Sequence, residues 1–159
     1  MSREPQPYPP ESVAGKRVLM KPHIHVACVI IEHDGRVLAA QRSETMTMPL
    51  KWEFPGGKLE PGETPEACLV REVREELAIG IDIGRALPAA THSYETFTVT
   101  LYPFVCVPAD GTMTLHEHRA AAWVEPEQMR ALDWAEADLP IIAGYLADRA
   151  PEAEWGARP

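Results

Sequence analysis

An almost unbroken apolar run, Ile24 to Ile31 with only His25 intervening, gives the first element. A run without alternation suits a central strand covered on both faces, and it extends from His23 to Glu32. His33-Asp34-Gly35-Arg36 is a tight-turn signal, and Val37 to Arg42 follows as a second strand, so the two form a hairpin. Ser43 to Lys51, with Pro49 near its end, reads as a loop, and Trp52-Glu53-Phe54-Pro55 leads from it into Gly56 and Gly57. The apolar period then lengthens. Leu69, Val73 and Leu77 fall on one helical stripe, flanked by Glu66 and Val70. Thr64 is the expected N-cap of this helix, with Pro65 at its favoured first position and Gly80 just beyond its end.

Strand formers return from Arg85 to Thr91 and from Ser93 to Val107, among them Phe97, Val99, Leu101 and Tyr102. Pro103 places part of that stretch at an edge or a bulge. Asp110-Gly111 is another turn, Ala120 to Val124 a short strand, and Pro126 to Leu132 a short helix opened by proline. Leu139, Ile142, Ala143 and Leu146 set a last helix from Leu139 to Arg149.

Strands and helices mix without regular βαβ alternation. That predicts an α+β fold, an α/β/α sandwich with a mixed sheet between helices, and not a doubly wound nucleotide-binding fold. Neither a Walker-type glycine loop nor a dinucleotide fingerprint occurs. The 159 residues suit one domain over 22–150, after a proline-rich leader (1–21) and before a C-terminal tail (151–159). A formal net charge of −9 argues against a nucleic-acid polymer as partner. It leaves a small polyphosphate open, because bound divalent cations reverse the local sign of the field. Cys28, Cys68 and Cys106 sit scattered in apolar stretches, as buried thiols of a reducing compartment. With neither an apolar leader nor a run of membrane-spanning length, the expected location is the cytoplasm, without a membrane partner.

One further feature stands out on the helical wheel. Glu72, Glu75 and Glu76 share an arc of roughly 100° beside the core stripe, and Glu72 and Glu76 form an unfavourable i,i+4 pair. Two readings stand from the helix alone: a solvated acidic face, or converging carboxylates for a hard divalent cation such as Mg²⁺. Gly56 and Gly57 would let backbone carbonyl groups approach the same ion, since no Cβ intervenes. His116 and His118, with His23 and His25, raise zinc as a lesser alternative.

The preceding loop changes the balance. Gly57, five residues, Glu63, seven residues, then Arg71-Glu72-Val73-Arg74-Glu75-Glu76-Leu77-Ala78-Ile79 resembles the Nudix box, with Ala78 where the box carries its last glycine. That departure bears on the chain path leaving the helix, and Gly80 is expected to take part of the role. Trp52 to Lys58, His116-Glu117-His118 followed by Trp123, and the Ala-Asp-Leu-Pro around Asp138 are similar to nucleoside triphosphate pyrophosphohydrolases of the MutT and CTP-cleaving type. The resemblance covers most of 22 to 148. It implies Mg²⁺, or Mn²⁺ in its place, held by Glu72, Glu75, Glu76 and the Gly56 carbonyl, with Glu117 as a further metal or water contact. It also implies a Glu63–Arg71 pair bracing the loop, Lys58 and Arg42 on the phosphates, and Phe54 and Asp138 on the base. The implied reaction converts a nucleoside triphosphate, oxidised dGTP or a (d)CTP type, to monophosphate and pyrophosphate, in nucleotide-pool sanitation and DNA repair. Family members occur as monomers and homodimers. The alternatives are a nucleoside diphosphate derivative such as ADP-ribose as substrate, or a catalytically silent nucleotide-binding module.

Overall fold

The computed structural model describes residues 21–156, with side chains to Arg149. Its centre is β1 (His23–His33), buried on both faces from Ala27 to Ile31 as its apolar run requires. The remaining strands are β2 (Arg36–Gln41), β3 (Trp52–Glu53), β4 (Gly56–Lys58), β5 (Gly80–Ala86), β6 (Ala90–Ser93), β7 (Thr98–Asp110) and β8 (Ala120–Val124). β1 and β7 run parallel, from His23↔Thr98 to Ile31↔Cys106. Antiparallel pairs extend the sheet on either side, giving the order β3-β2-β1-β7-β5, with β4 on β1, β6 on β7 and β8 on β2.

Two helices cover the two faces. Helix α1 (Pro65–Leu77) buries Leu69, Val73 and Leu77 against Ala27, Val29 and Ile31 of β1. Each such side chain contributes on the order of 1.5–3 kcal/mol. Helix α2 (Leu139–Gly156) buries Ile141, Ile142 and Tyr145 against the other face, with Cys28, Ile30 and Phe54. The expected sandwich, a mixed sheet between helices, is what forms. All three cysteines are free and buried.

Several local expectations change. The turn at Asp34-Gly35 forms with positive φ at both residues (50° and 75°), but β1 and β2 pair only at Glu32↔Val37 and His33↔Arg36 before β2 turns to β8. Val70 is 44% exposed; the second buried row of α1 is Cys68 and Glu76, one helical step from the Leu69 stripe. β5 starts at Gly80, directly after the helix, and ends at Ala86, so the strand lies earlier than Arg85 to Thr91. Pro103 is no edge residue. It is buried in central β7 opposite Cys28, and the break that accommodates it is on the other side, where β5 ends in an irregularity between Ile83 and Ala86 and β6 takes over at Leu101. On α2 the buried stripe is Ile141, Ile142 and Tyr145, leaving Leu139 and Ala143 exposed. That helix runs on to Gly156 through the helix formers Glu152, Ala153 and Glu154. The rest of the expected tail (157–159) and the leader up to 20 lie outside the described residues.

Candidate active site

Local chemistry starts α1. The Thr64 hydroxyl accepts the Ala67 N–H at 3.2 Å, and Pro65 occupies the first turn, where no N–H is needed. Just upstream the chain is clamped to the helix. Arg71 donates to both Glu63 oxygens, Nε to Oε2 at 2.9 Å and Nη2 to Oε1 at 2.8 Å, and its Nη2 also reaches the Lys58 carbonyl at 3.3 Å. The guanidinium fork, aided by the Glu60 N–H, holds the Glu63 carboxyl down at about 2. The expected Glu63–Arg71 brace is therefore present in bidentate form.

The three α1 carboxylates share a helix face but are not gathered. Glu72 Oε1 accepts from Arg71 Nη1 at 2.9 Å, Glu75 lies 3.5 Å from the same nitrogen and is 62% exposed, and Glu76 is buried against His118. Among the described residues no three His, Cys, Asp or Glu side chains form a ligand group, and that includes the four histidines weighed for zinc. The fit to a hard cation rests on two other observations. All the donors are carboxylate or carbonyl oxygens, the ligands Mg²⁺ takes. And the Glu72 carboxylate fills the space that a Cβ on residue 57 would occupy, so Gly57 is the cradle for that carboxylate. Burial raises the Glu72 pKa, with Glu75 and Glu76 adding to it against Arg71, so a cation beside it relieves a charge the site holds at a cost. At Gly56 the Cβ space is taken by the backbone of Ala27 and Cys28, so this glycine serves the close approach of β4 to β1.

Behind the carboxylates lies a buried polar chain. The loop after β7 docks on the C-terminal end of α1, with Thr114 N–H on Leu77 O (2.9 Å) and His116 N–H on Glu76 O (3.2 Å). This docking delivers His118 between two acids. Its Nε2 donates to Glu53 Oε1 at 2.8 Å, and its Nδ1 meets Glu76 Oε1. Burial alone would lower the His118 pKa, but the two carboxylates outweigh it and hold the pKa up at about 9. Glu53 in turn accepts both contacts of Arg42 Nη1 (2.9 and 2.8 Å), while Arg42 Nε and Nη2 hold the Thr47 carbonyl and hydroxyl.

A cavity of about 590 Å³ joins these groups, within the range of small-molecule sites. Of the expected residues, Gly56, Arg71, Glu72, Glu76, Lys58, Arg42, Glu117, Phe54 and Asp138 line it, whereas Glu63 and Glu75 stand outside the lining. Lys58 is the cation whose ammonium makes no hydrogen bond or ion pair among the described residues; burial lowers its pKa. At the far end Phe54 packs on Trp134 with ring centroids 4.9 Å apart, and Asp138 Oδ1 accepts the Phe54 N–H at 3.1 Å. Burial, then the Glu53 charge, push Asp138 well above the usual carboxylate range, favouring its protonated form.

Sequence reasoning missed Glu53 as a site residue, and took His118 as part of the family motif and as a zinc candidate, with no role beside Glu76. Glu53 stood in the same Trp52–Lys58 stretch that carried the family resemblance, but a lone glutamate before a glycine pair has no spacing partner. The pairing with His118 spans 65 positions and exists only once β3 and the loop before β8 meet.

A mixed sheet between two helices, with a glycine-backed carboxylate helix opening on one cavity, is the architecture of a Nudix domain. The NUDIX domain matches residues 21–145, and the chain belongs to this family. It is 37% identical over 127 residues to the CTP pyrophosphohydrolase of Escherichia coli K12, covering 80% of this chain and 94% of that protein. It is 40% identical to the 8-oxo-dGTP diphosphatase of Proteus vulgaris over 59% of this chain and 85% of that protein. The solution structure of the E. coli ORF135 protein superposes with a TM-score of 0.72 at 36% identity, over 82% of this chain and 94% of that one. The chain is thus a hydrolase of phosphoric anhydride bonds, in a family whose members generally need divalent metal ions.

Proposed function

We propose that this enzyme hydrolyses a nucleoside triphosphate to the monophosphate and pyrophosphate, with Mg²⁺ at Glu72, Glu75 and Glu76. The observation that carries the reading is that one cavity of about 590 Å³ is lined both by Glu72, Glu76 and Lys58, suited to phosphates, and by Phe54 and Asp138, suited to a base. Bound at the carboxylates, a divalent cation offsets phosphate charge and lowers the pKa of water.

The chain's own residues do the rest. Arg71 and Glu63 fix the loop that carries Gly57, so the Glu72 carboxylate keeps its place against β4. Lys58 neutralises phosphate charge as it grows in the transition state, and Arg42 adds a second cation on the same wall with its charge partly offset by Glu53. Glu117 borders the cavity as the distal acid, a further contact for metal or water. Phe54 and the protonated Asp138 form the base end. A carboxylic acid offers one donor and one acceptor oxygen, which matches the N3 and amino group of a cytosine edge.

A (d)CTP-type substrate is the first reading, supported by the match to the CTP pyrophosphohydrolase over 94% of its length. Oxidised dGTP is the second, supported by the Proteus relative. Either places the enzyme in cytoplasmic pool sanitation. The test is to offer canonical, oxidised and methylated triphosphates and ADP-ribose, with and without Mg²⁺, and to follow pyrophosphate. Pyrophosphate from a cytosine-type triphosphate, only with the metal, is the expected result. Release from none of the triphosphates, or cleavage of ADP-ribose alone, overturns the proposal.

A further inference from the structure

The side chains on either side of His118 belong to two different parts of the cavity. Glu76 lies on α1 among the carboxylates assigned to the metal; Glu53 lies on β3, next to Phe54. His118 touches both, at 3% side-chain exposure, and Glu76 is 4% exposed. A carboxylate buried to that degree needs a partner, because desolvation otherwise neutralises it or turns it toward solvent. Its Nε2 lies within hydrogen-bond reach of Glu53 Oε1, and its Nδ1 lies directly against Glu76 Oε1. The ring is held at two points, by Glu53 on one side and by the docking of the 111–118 loop on the other, through Thr114 and His116.

We propose that His118 is the positioning residue for Glu76, and that Glu53 acts on the metal site through it. His118 lies against Oε1 of Glu76 and so fixes the plane of the carboxylate. Glu53 fixes the ring that does this, and Arg42 fixes Glu53 from the 43–51 loop. A polar chain, Thr47–Arg42–Glu53–His118–Glu76, thus links the loop over the cavity to the metal carboxylates. Hydrogen-bonded supports of this kind typically matter 10–100-fold in metal affinity.

The inference rests on the metal assignment made above, and binding to nucleotide-free protein separates the two. Mn²⁺ affinity is measured by electron paramagnetic resonance on wild type, Glu72→Gln, His118→Gln, Glu53→Gln and the double variant Glu53→Gln/His118→Gln. Thermal melts serve as the check on folding. Wild type should bind Mn²⁺, Glu72→Gln should lose it, and His118→Gln should weaken it by about 10–100-fold. Glu53→Gln should weaken it less, and should add nothing in the His118→Gln background, because its effect has no other route. Glu53→Gln keeps the buried histidine, so it reports on the link even if His118→Gln does not fold. Wild-type affinity in His118→Gln, or in Glu53→Gln, overturns the positioning role while leaving the metal site standing. Additive effects in the double variant overturn the route through His118. Absence of Mn²⁺ binding in wild type overturns both readings together.

Discussion

Of the cavity lining, Gly57, Lys58, Arg71, Glu72 and Glu76 all come from positions 57–76, whereas Phe54, Tyr94, Val99 and Asp138, which border the base end, are drawn from positions 54–138. The first group is a strand, a turn and a helix held by their own clamp, Arg71 on Glu63. The second group exists only because β1, β7 and the segment before α2 meet over one core cluster. The consequence is physical. A change at the α1 end should disturb chemistry with little loss of fold, whereas the base end is inseparable from core packing.

The two adjacent glycines give the sharpest test. At Gly56 an added Cβ strikes the Ala27 carbonyl in β1, which is backbone and cannot swing aside. Gly56→Ala should cost on the order of 3 kcal/mol of stability, read by denaturant unfolding. At Gly57 the added Cβ strikes the end of the Glu72 side chain, which can move. Gly57→Ala should therefore keep its melting temperature within a few degrees yet lose about 100-fold in kcat, the scale expected when a catalytic group is displaced by an ångström. Equal stability losses in both variants would erase the distinction between the two glycines.

At the base end, Asp138 sharpens the comparison with a smaller effect. Its raised pKa favours the protonated form, which carries one donor and one acceptor, and an amide presents the same pair. Asp138→Asn should keep kcat/KM for the preferred triphosphate within about 3-fold, while Asp138→Ala should lose base discrimination by roughly 10–100-fold. A large loss in the asparagine variant would mean that the ionised carboxylate reads the base.

The contrast also explains what the sequence made legible. The pattern from Gly57 to Leu77 announced the carboxylate helix and its cap at Thr64, and the family resemblance implied the Glu63–Arg71 clamp; each partner lies within one helix and the turn before it. The sheet between helices was legible from the β1 run and the α1 stripe. Pro103 rightly signalled a bulge but not an edge, because proline reports only on its own missing N–H, and whether a neighbouring strand needs that donor depends on where β5 ends and β6 begins. Val70 misled because the wheel alone does not say which flank of the stripe meets the sheet. Glu53 and His118 were illegible for the same reason, since their contact is made by tertiary docking.

The clamp itself predicts a pH signature. The Arg71 fork holds the Glu63 carboxyl at about 2, below the usual value of 4.5. A depressed folded-state pKa gives stability that is present above the unfolded value and lost as pH falls through the folded one. Wild type should thus lose melting temperature between pH 4.5 and 2 more steeply than Glu63→Gln, which keeps a hydrogen bond but does not titrate. Parallel curves for the two proteins would remove Glu63 from the acid limb.

The smallest expected effect lies at the helix exit. Ala78, not Gly80, takes the left-handed position there, with φ 59° and ψ 23°, and donates its N–H to Arg74 O at 3.1 Å. Gly80 is already strand, packed against Arg74 and Asp110. An L-residue in this conformation costs about 1–2 kcal/mol, part of which glycine would return as extra freedom in the unfolded chain. Ala78→Gly should therefore stabilise by about 1 kcal/mol, a rise of roughly 2–4 °C in Tm for a chain of this size. Activity should hold, because the last turn of α1, which carries Glu76, is pinned independently by Thr114 on Leu77 and His116 on Glu76. A fall in Tm would mean that the alanine methyl packs well enough to outweigh its backbone strain, and that the α1 end is less self-contained than its clamp suggests.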